Sequence, residues 1–569
     1  MTLAESDCAA RERAGGRAPP ATLMLLAGLP ILAGAWLLLS SDLVLSHEMT
    51  WDFLYNIAGA WHLQNGHILH VDFHEPLGAL NFELTWLGFA LLGPTPFAVI
   101  AGSVMVAAGV FFSAALAAMR RLPLWPAVLF VLFAGLLTLM PANVGDKPNA
   151  YSFAMAYNRY GWSLLSVLAL IFFLPPSRSV GDDRLDLVNA IAVLVALYYL
   201  KITYFAAGLL FLGVAGAISP HVRARLPYWA IAAGLVLVNA FAPWNYDYYF
   251  DILQAANAGA VRNSLSFHLN NFFAHAEGYA PYAAALALAT WMYARGLAPA
   301  RLPLAIAAIL TIGVLVLSQN HQSHGLPVAI VAAFLLYDQI RGRSALAAPA
   351  LLAAMAFPLF SIGTSAFSLA SYHLRAGHVE LLQVVNHTRL KGLAVPLERP
   401  GLLAAFADGG QTNHALLNWA RARRPRWELS PGEYVETLLE AAALLQDGRH
   451  PAGAIVVLDQ VNPLPFMLGW PPPRGGILWS GPAAAILPAS NVFADANYVL
   501  IPKFSTYGAW TDRAQLEYRD YLAQNFPIRE SSQSWVLLSR QEAPRLESLE
   551  RVRREAVGTT TPPAAMPIR

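Results

Sequence analysis

Eleven apolar stretches recur before residue 371 of this 569-residue chain, and nothing constrains its fold more. They lie at 21–40, 97–119, 125–141, 162–175, 187–200, 203–219, 228–243, 281–296, 303–318, 325–340 and 346–370. A lipid bilayer offers no hydrogen bonds, so a segment that crosses it must satisfy its own backbone, which a helix does. Composition agrees: 13% of the residues are charged, where a soluble chain carries about 25%. The expected fold class is a polytopic α-helical membrane protein of about eleven transmembrane helices, followed by a C-terminal extracytoplasmic α/β domain. Cys8 is the single cysteine, which excludes an intrachain disulfide. The first stretch follows Arg11, Arg13 and Arg17 and resembles a signal peptide, but it has the length of a full span and is expected as an uncleaved helix.

Charge orients the helices. Residues 77–93 are apolar too, and either cross or pack within the first loop. With 77–93 not crossing and the N-terminus in the cytoplasm, Arg11, Arg13, Arg17, Arg120, Arg121, Arg178, Arg184, Arg223, Arg225, Arg295, Arg301, Arg341 and Arg343 all fall inside. Lys147, Arg159, Lys201 and Arg262 are then the cations of the outside loops. That partition obeys the positive-inside rule, and a crossing at 77–93 reverses it. The expected organisation is a cytoplasmic tail at 1–20, a membrane domain at 21–370 with its first outside loop at 41–96, an outside α/β domain at 371–545 and a disordered tail at 546–569. In the α/β domain, helices are expected near 432–446 and 511–523, and strands at 453–458, 497–501 and 534–539.

The first loop is unusual. Residues 41–96 contain no Lys or Arg, yet hold Asp42, Glu48, Asp52, Asp72, Glu75, Glu83 and five histidines. Thr50 is a candidate cap for a helix on which Phe53, Ile57 and Trp61 share a face and which Gly66 stops. An amphipathic helix on the membrane surface is the expectation. Asp52 in its first turn either complements the helix dipole or serves chemistry. In His70-Val71-Asp72-Phe73-His74-Glu75-Pro76-Leu77, an extended backbone aligns His70, Asp72 and His74. Such a trio can ligate a divalent metal ion, or it is a hydrogen-bonded loop.

Asp52, Tyr55, Gly66, Asp72, Pro76 and Leu77, in that order after a first span, resemble the first outside loop of C-type (GT-C) membrane glycosyltransferases. That superfamily includes protein O-mannosyltransferases and lipid A aminoarabinose transferases. The family often has two adjacent acids where this chain has Trp51-Asp52, which leaves Glu48 or Asp72 as the second acid, or none. The resemblance implies a sugar donor on a polyprenyl phosphate and an acceptor that is a glycan, lipid or protein, at the outer side of a bacterial inner membrane. Asp52 is then the catalytic acid or base, supported by Asp72 and Glu75.

Such a reaction needs a carboxylate to take the acceptor proton and cations to hold the departing phosphate. Lys201 and Arg159 are candidate cations, and His321 and His324 candidate phosphate contacts; the alternatives are snorkelling or interfacial anchors and a plain polar helix mouth. Trp244-Asn245-Tyr246-Asp247-Tyr248-Tyr249 suits sugar faces or a membrane interface. Asp459 and Asn462 follow an apolar strand, where α/β folds hold ligands or simply turn. No nucleotide-binding glycine loop is present, and no nucleic-acid partner is expected. A transporter or lipid flippase is the alternative function, distinguished by charges at mid-membrane on broken helices.

Overall fold

Every one of the eleven apolar stretches is occupied by a helix in the computed structural model, which describes residues 19–47, 49–144, 151–176, 184–258, 264–274, 279–319, 326–341, 343–374, 382–396, 429–481, 484–503 and 508–540. In chain order the helices of ten or more residues in this part are α1 (Pro20–Leu39), α2 (Thr50–Gln64), α3 (Leu80–Leu92), α4 (Phe97–Met119), α5 (Leu124–Leu139), α6 (Ala156–Phe173), α7 (Arg184–Leu200), α8 (Ile202–Ile218), α9 (Leu226–Ala240), α10 (Tyr246–Ala258), α11 (Leu265–Ala274), α12 (Ala280–Ala294), α13 (Arg301–Gln319), α14 (Ile330–Ile340) and α15 (Ala347–Leu374). Within α1, α4, α13 and α15 lie four stretches long and apolar enough to cross a membrane. A fifth arises if α9 and the segment Pro243–Ala258, bent by 61° at their junction, form one span. Leu25, Leu32, Trp36, Val238, Phe360 and Phe367 stand exposed on these helices, an apolar exterior that suits lipid and not water. α3 has 13 residues and is about 20 Å long, short of the roughly 30 Å hydrocarbon core.

The helical layer has two unlike ends. At one, Asp186 in the first turn of α7 lies between two arginines at the end of α4: Arg120 Nε is 3.0 Å and Arg121 Nη2 is 2.8 Å from its carboxylate. Arg121 also donates to the carbonyls of Leu174 and Ile171, closing the C-terminal end of α6. All three charges are buried, so each depends on the others. At the other end lie α2, α3 and the loop between them.

The C-terminal part packs on that second end. β1 (Val44–Leu45), from the first loop, and β2 (Leu382–Val384) flank β3 (Leu393–Pro396), the first parallel to it and the second antiparallel. This joins the segment after α15 to the first loop. A second sheet holds β4 (Ile455–Val457), β5 (Tyr498–Pro502), β6 (Ile528–Ser531) and β7 (Trp535–Ser539), in the order β4-β5-β7-β6. Its faces alternate as pleating requires. Leu500, Trp535 and Leu537 join the core that contains α16 (Pro431–Leu445), while Val499, Ile501, Val536 and Leu538 pack on α17 (Gly508–Asn525). Ser430 and Glu433 form a capping box that starts α16. β6, with its largely exposed sequence Ile-Arg-Glu-Ser, was not expected from the sequence; pairing with β7 makes it a strand.

Asp186→Ala leaves two buried guanidinium groups without their carboxylate. It is expected to destabilise the helical layer by about 3–5 kcal/mol, read as a lower unfolding midpoint of the purified protein in detergent. An unchanged midpoint refutes this account of the arginine end.

Candidate functional site

α2 is the centre of the site, and it is not a surface helix. Thr50 and the whole run from Asp52 to His62 are buried, because α3 covers one side and the C-terminal part another. Trp61 Nε1 donates to the Trp470 carbonyl at 2.9 Å, and Arg389 lies over the Trp61 ring at 4.7 Å. Trp51 meets Tyr434 of α16 edge-on at 5.9 Å. Thr50 is the first helical residue and not the cap. Met49 holds the preceding position at φ 52°, and the Thr50 hydroxyl lies 3.1 Å from Ser46 Oγ. Gly66, at φ 77°, ends the helix region in a conformation other residues resist.

Burial sets the electrostatics. Asp52 is 8% and Glu75 3% exposed. Loss of water raises the Asp52 carboxyl from 3.8 to about 7. Glu75 is pushed from 4.5 to about 8, first by burial and then by the charges of Asp251 and Asp52, against the stabilising Tyr55 hydroxyl and Leu77 amide. Tyr55 stays protonated: burial and then the Glu75 carboxylate raise it well above its ordinary range. Asp52, Glu75, Tyr55 and Tyr157 thus lie within electrostatic reach of one another.

Lys201 approaches the same group from the turn between α7 and α8. Its ammonium lies 5.2 Å from the centre of the Tyr157 ring and donates to Asn158 Oδ1 at 3.4 Å. Burial lowers its pKa to about 8, and the nearby Glu75 charge opposes that fall. Backbone packing holds the two loops together. Gly78 N donates to the Leu200 carbonyl at 3.2 Å, and a Cβ on Gly78 would come 2.1 Å from the Tyr199 carbonyl oxygen.

The other expected residues separate. Asp72 does not join His70 and His74. The backbone turns at His70, with φ 72°, so the extended arrangement fails. Asp72 accepts from Ile68 N at 2.8 Å and faces Arg474 at 3.6 Å, towards the C-terminal part. His70 and His74 both turn to Asp251, each 2.8 Å from its carboxylate. Among the described residues no three His, Cys, Asp or Glu side chains gather as a metal site. Arg159 is buried, and its guanidinium donates to the Ser152 and Ala154 carbonyls at 3.2 and 3.4 Å. In this structure it anchors its own loop. Glu48, Lys147, Arg262, His321 and His324 lie outside the described residues. Asp459 is buried beyond β4, and Asn462 donates to the Ile455 carbonyl as a turn residue. A cleft between the first loop and the second sheet is lined by His62, Phe73, Leu458, Asn462, Ile477 and Trp510, and not by Asp52, Glu75 or Lys201.

Sequence reasoning missed Asp251, Tyr157, Tyr434 and Arg389. Asp251 had a signal: a second acid in the aromatic run Tyr246-Asp247-Tyr248-Tyr249-Phe250-Asp251, three residues beyond Tyr248 and hence on the same helical face.

No family model matches the chain, and no curated protein matches it. Two solved structures of ArnT from Cupriavidus metallidurans are similar along most of its length. The apo state has a TM-score of 0.42 at 11% identity, covering 91% of this chain and 97% of that one. The undecaprenyl phosphate-bound state has a TM-score of 0.36 at 12% identity over the same shares. At that level of likeness, what this chain does has to be argued from its own residues.

The raised Asp52 carboxyl makes stability depend on pH. A buried acid whose pKa rises on folding contributes most below its unfolded value near 3.8, and loses that contribution as pH climbs through about 7. Asp52→Asn is therefore expected to raise the unfolding midpoint at pH 8 and leave it little changed at pH 4. The ceiling is about 4 kcal/mol, at about 1.4 kcal/mol per pKa unit. Equal effects at both pH values refute the burial account. Gly78→Ala is expected to cost about 1–3 kcal/mol through the clash with Tyr199. Wild-type stability for that variant means the two loops are not packed as described.

Proposed function

We propose that the protein is an integral membrane glycosyltransferase. It moves a sugar from a polyprenyl-phosphate carrier to a glycan, lipid or protein acceptor on the outer side of the bacterial inner membrane. One observation carries this reading: two buried carboxylates with raised proton affinity, Asp52 and Glu75, feel each other's charge where the membrane helices join the C-terminal part, and Glu75 also feels Lys201. The match of Asp52, Tyr55, Gly66, Asp72, Pro76 and Leu77 to the GT-C first loop supports it. So does the sorting of arginines to the opposite end, where Asp186 gathers Arg120 and Arg121. The union of β1 with β3 supports an odd number of crossings, eleven with the N-terminus inside.

In the proposed reaction Asp52 accepts the proton of the acceptor hydroxyl as its oxygen bonds to the anomeric carbon. The bond from that carbon to the phosphate oxygen breaks, and its electron pair leaves with the phosphate. A carboxyl near 7 is matched to this task at neutral pH, where it is substantially ionised yet basic. The phosphate is a good leaving group and needs a cation more than a proton. Lys201, half-buried and with no carboxylate within ion-pair distance among the described residues, gains a counter-charge when phosphate arrives. Glu75, pushed to about 8, is mainly protonated at neutral pH and so leaves the negative charge to Asp52 and to the arriving phosphate.

The 61° bend between α9 and Pro243–Ala258 favours a second reading, a transporter or lipid flippase, since such proteins break helices at their sites. Incubating the purified protein with a panel of polyprenyl-phosphate sugars, and separately measuring lipid flipping in proteoliposomes, decides between them. Transfer is expected, rising with pH through about 7 as Asp52 ionises. Asp52→Asn is expected to lower it by about 100-fold or more. Unchanged transfer by Asp52→Asn ends the assignment, and flipping without transfer favours the rival.

A further inference from the structure

α10 carries two opposed faces. Trp244, just before it, and Tyr246, Phe250 and Leu253 are exposed, while Tyr248 and Asp251 are each 3% exposed. The inward face meets the loop that carries Glu75. Asp251 accepts from His70 Nδ1 and His74 Nδ1, each at 2.8 Å, and from the backbone N–H of Glu75 at 3.0 Å. Tyr248, one turn earlier, stacks on the His70 ring with centroids 4.6 Å apart. A buried carboxylate is costly unless its oxygens are satisfied, and here three donors converge on it. Those donors lie within a six-residue stretch, 175 or more positions away in the chain.

The same stretch is held on two other sides. His74 pairs with the C-terminal part: its N–H donates to the Gly476 carbonyl at 2.9 Å, and its own carbonyl accepts from Leu478 at 3.0 Å. Gly78 is packed against Tyr199 and Leu200, next to Lys201. Of the three holds, the one that touches the backbone of Glu75 itself is Asp251.

We propose that Asp251 is a positioning residue: from the bent limb α10 it grips His70, His74 and the Glu75 backbone, and so sets Glu75 against Asp52 and Lys201. The inference rests on the glycosyltransferase reading for its effect on rate, and on the hydrogen bonds alone for its effect on the loop. An asparagine at 251 loses the charge and keeps one acceptor oxygen, so it serves all three groups only if one histidine changes tautomer. A glutamate keeps the charge and both oxygens on a longer arm. Small misplacements of a supporting group cost rate more than binding.

The experiment uses full-length purified protein, as wild type, Asp251→Asn and Asp251→Glu, in one detergent. The first readout is transfer from the lipid-linked donor that the wild type uses. Asp251→Asn is expected to lower kcat by roughly 10–100-fold with KM for the donor nearly unchanged, and Asp251→Glu to recover part of the loss. The second readout needs no turnover: labelling of His70 and His74 by diethyl pyrocarbonate, followed by peptide mass spectrometry. Both histidines are expected to be protected in the wild type, labelled several-fold faster in Asp251→Asn, and intermediate in Asp251→Glu. Should Asp251→Asn not fold, Asp251→Glu alone carries the test, with reduced kcat and faster labelling expected. Wild-type labelling in the folded variants overturns the proposal, as does a kcat loss that the glutamate does not relieve. If the wild type transfers from no donor, the glycosyltransferase reading fails, and labelling still decides whether Asp251 holds the loop.

Discussion

Desolvation of two carboxylates governs this molecule. Asp52 and Glu75 sit where water is largely excluded, and burial is the largest cause of the raised pKa of each. An acid in the first turn of a solvated helix would be fully ionised and a poor base at neutral pH. Here α2 is covered by α3 and by the C-terminal part at once, so Asp52 has little water with which to share its charge. The helix dipole stabilises that charge only modestly. The fold therefore holds a carboxyl of raised proton affinity at the cost of stability, a combination typical of sites that do chemistry.

The placement of these acids depends on one short loop. Residues 66–78 contact α10 through Asp251, the C-terminal part through the His74 backbone, and the turn at Lys201 through Gly78. Three parts of the chain, far apart in sequence, thus set the position of Glu75. The opposite end of the helical layer is built on different physics. There Arg120 and Arg121 enclose Asp186, and opposite charges compensate one another instead of being left to desolvation.

Much of this was legible in the chain. Apolar length and the sorting of arginines located the helices, since the cost of exposing apolar surface or of burying a charge is local and additive along the sequence. Gly66 marked its turn because positive φ is cheap for glycine. The α/β part could be read from its short apolar strands, apart from β6, whose exposed residues carry no pattern. The site was only partly legible. Asp52 and Glu75 are both buried and feel each other's charge, whereas the expected trio of His70, Asp72 and His74 breaks apart at one residue with positive φ, and Arg159 bonds within its own loop. Partnership between side chains is a matter of direction in space, which periodicity records only within one regular element.

The sequence by itself determined that this chain forms many apolar helices, carries a cation-free acidic loop after the first, and ends in a small α/β part. Each of those properties follows from free energies of transfer that every segment bears alone. Only the tertiary structure decided that α2 is buried from Asp52 to His62, that β1 joins β3, and that Asp251 claims both histidines. These contacts join residues up to several hundred positions apart, and their strength comes from excluding water between surfaces that no single segment possesses.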